Sequence, residues 1–285
     1  MFSRQFGFAH KPAFQRTKYS TPVVIGALLA AQIAYVSWQL FRDVKIKADA
    51  PKLIDLKSKA TPDGTWKPDT SVEPFSRTIV IDDKKYALLG LGVRTVSFLK
   101  IHVYAVGVYV AEDDLDKLIS VVKNDSKDGD VRNALFESNS ILIESLLEHN
   151  IKIGLRIVPV RNTDFSHLRD GFIRSINQTL KIKGSYSADV DASEGVTQLR
   201  SLFSRKKSVP KNGELLLVKN DQGELQCSYA DGRHPNKEHL GDVKDSIVIN
   251  ALFLHYLTGP NAASEQARLT FIDSVDKLAS SGELY

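Results

Sequence analysis

One arginine stands out for its surroundings. The stretch Leu89-Gly-Leu-Gly-Val-Arg-Thr-Val-Ser-Phe-Leu-Lys-Ile-His-Val-Tyr-Ala-Val-Gly-Val-Tyr-Val110 places Arg94 among apolar neighbours, with Tyr104 ten residues on. A guanidinium stays charged at any physiological pH and offers a planar fork of donors. In an apolar setting its natural partner is a carboxylate, a phosphate or a developing oxyanion. The other residue type of interest is histidine, because a neutral imidazole can ligate iron. His102 lies in the same stretch and His167 on a later predicted helix, and His149, His234, His239 and His255 are further candidates. His234 and His239 are five apart beside Pro235, a poor spacing for one helical face.

Several chemistries are excluded by pattern. Gly90-x-Gly92 lacks the third glycine of a dinucleotide fingerprint and is followed by β-type sequence. No phosphate loop, no Gly-x-Ser-x-Gly elbow and no Cys-x-x-Cys-His motif occurs. The single cysteine, Cys227, rules out an internal disulfide and a thiolate cluster. Nucleic-acid binding has no support. Of 38 basic and 34 acidic residues, five basic ones and no acid fall in residues 1–42, which leaves the rest near neutrality. Arg205-Lys-Lys207 is too short a basic run to change that and reads as a solvated turn.

The elements that must position Arg94 follow from periodicity. Residues 78–82, 86–99 and 101–111 read as strands, with Gly90 and Gly92 marking a bulge or a close backbone approach. Short helical spacing follows at 114–122, and a longer helix is predicted over 131–149. Residues 152–160 alternate as a strand, and Asn162 or Thr163 can cap a helix over 164–182. The buried face of that helix would carry Phe165, Leu168, Phe172, Ile176 and Leu180. A helix near 188–204, a hairpin of 214–218 with 224–229, and helices over 246–257 and 262–278 complete the order. Antiparallel hairpins with helices in blocks define an α+β class, a sheet packed against a layer of helices.

Two N-terminal features indicate where this domain sits. Residues 1–21 are basic, acid-free and rich in Phe, Ser and Thr, the composition of a mitochondrial transit peptide. Residues 22–41 carry no charge and match one membrane span, with Tyr35, Trp38 and Arg42 as interfacial anchors. The charge asymmetry predicts a single-pass inner-membrane protein with its C-terminal domain in the intermembrane space. Residues 42–75, punctuated by four prolines, read as a tether, with Trp66 free to pack on the domain at 76–285.

The run from Gly90 to Val110, and the order of elements after it, resemble the chalcone isomerase family over roughly residues 76–282. With leader and span attached, the chain is similar to fungal mitochondrial members of that family. The resemblance implies an antiparallel sheet under a helical layer. It also implies a ligand site at Arg94, with Tyr104, Phe165, Phe172 and Asn250 at the positions of the other site residues. The plant enzymes of the family close a ring within one substrate. Their tyrosine and asparagine donors are matched here by Phe165 and Phe172, which have no hydroxyl or amide. Loss of one such donor can cost about 2.7–4 kcal/mol in the transition state. The expected function is therefore binding of a hydrophobic, acid-bearing molecule, haem or a fatty acid, without chalcone isomerase activity. For haem, His167 and His102 are the leading iron ligands. Two other functions are consistent with the resemblance: an intramolecular lyase using Arg94 as oxyanion stabiliser, and a membrane-tethered interaction module.

Overall fold

The computed structural model describes residues 59–284 apart from 97, 98, 100, 127, 128, 138–140, 184–191, 205–207, 233–236 and 260. The predicted transit peptide and span lie outside the described residues. Among the described residues no helix is long and apolar enough to cross a membrane.

Seven strands form one sheet in which every neighbour is also next in sequence. They are β3 (Thr78–Ile81), β4 (Lys84–Val96), β5 (Ile101–Ala111), β6 (Ile153–Pro159), β7 (Glu214–Lys219), β8 (Leu225–Ala230) and β9 (Glu238–Val243), all antiparallel. β9 has no counterpart in the sequence reading. Its Glu-His-Leu-Gly-Asp-Val run is mostly polar, half-exposed at the sheet edge, and bent at Gly241 with φ +135°. Such a strand is held by its ladder to β8 rather than by hydrophobic alternation.

Helices cover one face. They are α1 (Leu115–Asp125), α2 (Val131–Glu137), α3 (Ile141–Glu148), α4 (Phe165–Ile182), α5 (Ala192–Phe203), α6 (Ser246–Leu257) and α7 (Glu265–Ser281). The single helix expected over 131–149 is two helices, α2 and α3, although Leu135, Leu142, Ile143, Leu146 and Leu147 are all buried as its period requires. The cap of α4 is Asp164, not Asn162 or Thr163. Its carboxylate accepts from the His167 backbone N–H at 2.8 Å, and Asn162 instead accepts from Lys211 N–H. α6 is capped by Asp245, and α7 starts at Ser264 and stops at Gly282 in the left-handed region.

β-alternation divides β5 between two cores. Tyr104, Val106, Val108 and Val110 point into the helical layer, while Ala105, Tyr109 and Ala111 face the opposite side. That second side is not open to solvent. Part of the stretch read as tether folds onto it, through β1 (Thr65–Trp66) and β2 (Phe75–Ser76), and buries Trp66, Val72 and Phe75. Tyr109 donates its hydroxyl to Ser76 O at 2.8 Å, and the Arg156 guanidinium lies 4.3 Å from the centre of the Phe75 ring. The four prolines of this stretch break periodicity, so only the buried aromatics signal that it packs.

The glycines of β4 do both things their pattern suggests. The ladder to β5 shifts register between Leu88 and Gly90, and α7 comes down directly on the strand. A Cβ at Gly92 would lie 2.4 Å from Ala267 N and from Ser264 Oγ, and one at Gly90 2.7 Å from Ala267 O. Beyond Leu88, whose N–H donates to Arg77 O at 2.8 Å, no strand among the described residues pairs with β4 on its β3 side. Thr270 on α7 covers that edge: its Oγ1 accepts from Leu91 N–H at 2.7 Å and lies 3.1 Å from Leu91 O.

Candidate functional site

Arg94 and Tyr104 are cross-strand partners near the end of the β4–β5 ladder, on the face toward the helices. Arg94 Nη1 donates to Tyr104 Oη at 3.4 Å and to Ser175 Oγ, on α4, at 3.5 Å. Tyr104 Oη lies 2.5 Å from Tyr256 Oη, contributed by α6. Two strands and two helices thus converge on one cation and three hydroxyls. Tyr104, Tyr256 and Ser175 are buried, and Arg94 is partly so. Ser175 also donates to Gly171 O at 2.9 Å, which fixes its oxygen toward Arg94.

Among the described residues no carboxylate lies within ion-pair distance of Arg94. The Tyr104 phenol beside it pushes its pKa up against the opposing effect of burial. Burial pushes Tyr256 well above the usual phenol range. The site at neutral pH is therefore one guanidinium with neutral hydroxyls around it. A partly buried cation with only neutral acceptors is not fully compensated for lost water. An anionic group entering beside it would restore that compensation.

Two more polar atoms on α6 lack partners. His255 is buried, and its Nε2 has no hydrogen-bond partner among the described residues; the same holds for Oδ1 of the half-buried Asn250. Burial first, and the Arg94 charge second, pull the His255 pKa down to about 4. His255 is thus neutral in the folded protein, and the unfolded chain binds the extra proton between about pH 6.5 and 4. Stability conferred by this group is complete above pH 6.5 and is lost as pH falls toward 4. Acidification across that window should cost about 3 kcal/mol, and His255→Gln should flatten that part of the curve. Denaturant midpoints from pH 7 to 4 would check this.

The remaining expected site residues are placed as follows. Phe165 and Phe172 are fully buried on α4 within an aromatic group. Phe165 lies 4.9 Å from Tyr229 and 5.8 Å from Phe203, and Phe172 lies 5.7 Å from Phe203, centroid to centroid. His102 is exposed beside the hairpin end. His167 is exposed in the first turn of α4, its Nδ1 2.7 Å from Asp164 Oδ2. The structure joins Tyr104 to Arg94 directly, and it brings neither His102 nor His167 into their hydrogen-bonded group. Ser175 and Tyr256 were not singled out from sequence. A signal for Ser175 existed, since it is a polar residue on the apolar stripe of α4, three positions after Phe172. Tyr256 gave none, because α6 is apolar on all sides.

A separate hollow, with about 10 Å³ of free space, lies between Leu118, Ile143, Leu146, Ile153, Leu257 and Phe271. It is apolar, holds no more than one water-sized sphere and does not include Arg94. It is a packing void, not a ligand site.

An antiparallel meander roofed by helices, with an arginine and a tyrosine paired across its longest hairpin, defines a class. Residues 84–272 match the family described as chalcone isomerase like, and the chain belongs to that family. Among its relatives is Altered inheritance of mitochondria protein 18, mitochondrial, of Kluyveromyces lactis, 31% identical over 94% of this chain and 86% of the relative. The protein of the same name from Debaryomyces hansenii is 35% identical over 76% of this chain and 78% of the relative. Among solved structures, the crystal structure of a fatty-acid binding protein of Arabidopsis thaliana is similar. It has a TM-score of 0.58 and 26% identity, and the match covers 74% of this chain and 99% of that one.

Proposed function

We propose that this chain is a mitochondrial, membrane-anchored member of the chalcone isomerase-like family that binds a hydrophobic molecule through its acid group, without ring-closing chemistry. The observation that carries the reading is the Arg94 group. A guanidinium backed by Tyr104, Tyr256 and Ser175, with no carboxylate partner among the described residues, is complementary to a carboxylate. The similarity to a fatty-acid binding protein supports a fatty acid as the occupant. Phe165 and Phe172 support binding over catalysis, because neither can donate to a developing enolate. The names of the relatives support a mitochondrial location. The inner-membrane anchor rests on residues 22–41 and their charged flank.

The test is a direct comparison of ligands. Full-length protein, stripped of lipid in detergent, should bind a long-chain fatty acid at least about tenfold more tightly than the alcohol of the same length, read by calorimetry. Equal affinities would remove the case for an acid-binding site. Cyclisation of a hydroxychalcone well above its spontaneous rate would establish the lyase reading, with Arg94 as the oxyanion stabiliser.

Haem is a second reading of the same site, favoured by one observation. His255 presents a buried, unpartnered Nε2 within electrostatic reach of Arg94, the kind of donor an iron centre takes. His102 and His167, both exposed, fit that role less well. A bound haem would supply the iron, while Arg94 would hold a propionate. A Soret band in the purified protein that is lost in His255→Ala would support this reading over the fatty acid.

A further inference from the structure

Gly171 breaks the rules of its own helix. It lies in the interior of α4, where glycine is less favourable than nearly every other residue. Two reasons commonly keep a glycine in such a place, and both are absent. Its backbone is helical, not left-handed. No neighbouring element presses on it either: a Cβ there would have nothing within 4 Å. Gly90 and Gly92 on β4 and Gly195 on α5 are the opposite case, since a Cβ on them would lie 2.7, 2.4 and 2.4 Å from another atom.

The surroundings of Gly171 give the missing side chain a use. Ser175 lies one helical turn on, on the same side of α4. Ser175 Oγ donates to Gly171 O at 2.9 Å and accepts from Arg94 Nη1 at 3.5 Å. One hydroxyl therefore separates the guanidinium from the Gly171 backbone. Phe165, Leu168, Phe172 and Ile176 bury the centre of the helix face, while Gly171 is half-buried at its margin. On the strand side, Arg94 is also only partly buried, and Thr95 next to it is exposed. Tyr104, Tyr256 and Ser175, all buried, close the inner side of the guanidinium.

We propose that the Arg94 group opens to solvent along this margin of α4, that Gly171 is the floor of the entrance, and that the first carbons behind a ligand's acid group lie across it. Any larger residue would fill the space through which that chain passes. The helix thus gives up stability at one position to keep the way to the guanidinium open, a trade common at binding sites. Gly171 makes no side-chain contact of its own. It acts as a positioning residue, by leaving room beside Ser175 and Arg94. This role rests on the binding of an acid-bearing molecule at Arg94 proposed above.

The experiment uses full-length, lipid-stripped protein in detergent, with palmitate and hexadecanol as probes and calorimetry as the readout. Gly171→Leu should weaken palmitate at least about tenfold, the size of an overpacking penalty moved from the fold to the ligand. Gly171→Ala should fall between that variant and the wild type. The obstruction is steric and blind to charge, so hexadecanol should lose the same factor, whereas loss of Arg94 affects the acid alone. Asn177→Leu, at an exposed position on another side of α4, should leave both affinities unchanged. The urea midpoint of Gly171→Leu should hold or rise, because the added Cβ meets no other element. Unchanged palmitate affinity in Gly171→Leu would overturn the proposal. So would a loss confined to palmitate, or a loss accompanied by a lower urea midpoint, which would mark disturbed packing and not a blocked entrance. Wild-type protein that binds neither probe would remove the Arg94 reading and this inference together. Wild-type binding that Gly171→Leu leaves intact would remove this inference alone.

Discussion

Arg94→Ala should weaken binding of a long-chain fatty acid by about 30-fold while leaving the affinity for the matching alcohol unchanged. The magnitude follows from the chemistry. A hydrogen bond to a charged group contributes about 1.5–3 kcal/mol, a factor of roughly 10 to 150. The Tyr104–Tyr256 pair keeps one hydroxyl proton that can donate to a carboxylate, so some affinity survives. Arg94→Lys should fall between the two, because it keeps the charge and loses the planar fork. Stability should hold in Arg94→Ala, since no carboxylate among the described residues is left behind and a partly buried cation is removed. Calorimetry with both ligands reads the difference. Full retention of fatty-acid affinity in Arg94→Ala would remove Arg94 from the site.

Gly92→Ala should destabilise the domain by about 3 kcal/mol, more than most single methyl additions. The added Cβ would sit 2.4 Å from both Ala267 N and Ser264 Oγ. These two atoms are the cap of α7: Ser264 Oγ accepts from Ala267 N–H at 3.3 Å. The methyl therefore collides with backbone and breaks a cap, which adds about 1 kcal/mol to the overpacking cost. It also lifts Thr270 from the Leu91 backbone, exposing an otherwise covered strand edge. Gly171→Ala is the informative control. A Cβ there meets nothing within 4 Å, so a mid-helix alanine should be neutral or stabilising by up to about 1 kcal/mol. The urea midpoint should fall for Gly92→Ala and hold or rise for Gly171→Ala. Similar midpoints would mean that α7 does not pack on β4 as described.

The two predictions differ in how far each was legible in the sequence. Arg94 stood out because an arginine interrupts an apolar β run, and its pairing with Tyr104 follows from the hairpin that joins their strands. Gly90 and Gly92 signalled a close approach, but not that α7, some 175 residues later, makes it. Asp164 took the cap from its neighbours because its carboxylate reaches the His167 N–H in the first turn of α4, while Asn162 is engaged by Lys211 N–H. Trp66 and Phe75 sit in a proline-broken stretch without periodicity, and only the far side of the sheet gives them a place to bury.

Sequence alone determined what depends on neighbours along the chain: the strand and helix periods, the long hairpin, the family, and the isolated cation. These rest on spacing within a few residues, where alternation and helical repeat are fixed by backbone geometry. Tertiary structure decided which distant groups meet that cation. Ser175 lies 81 residues from Arg94, and Tyr256 lies 152 residues from Tyr104. Such contacts depend on how a helical layer settles on a sheet, and each is a single polar atom among apolar neighbours. Packing is driven by buried area and carries little directional information. The polar atoms it brings together are set only once the whole core has closed.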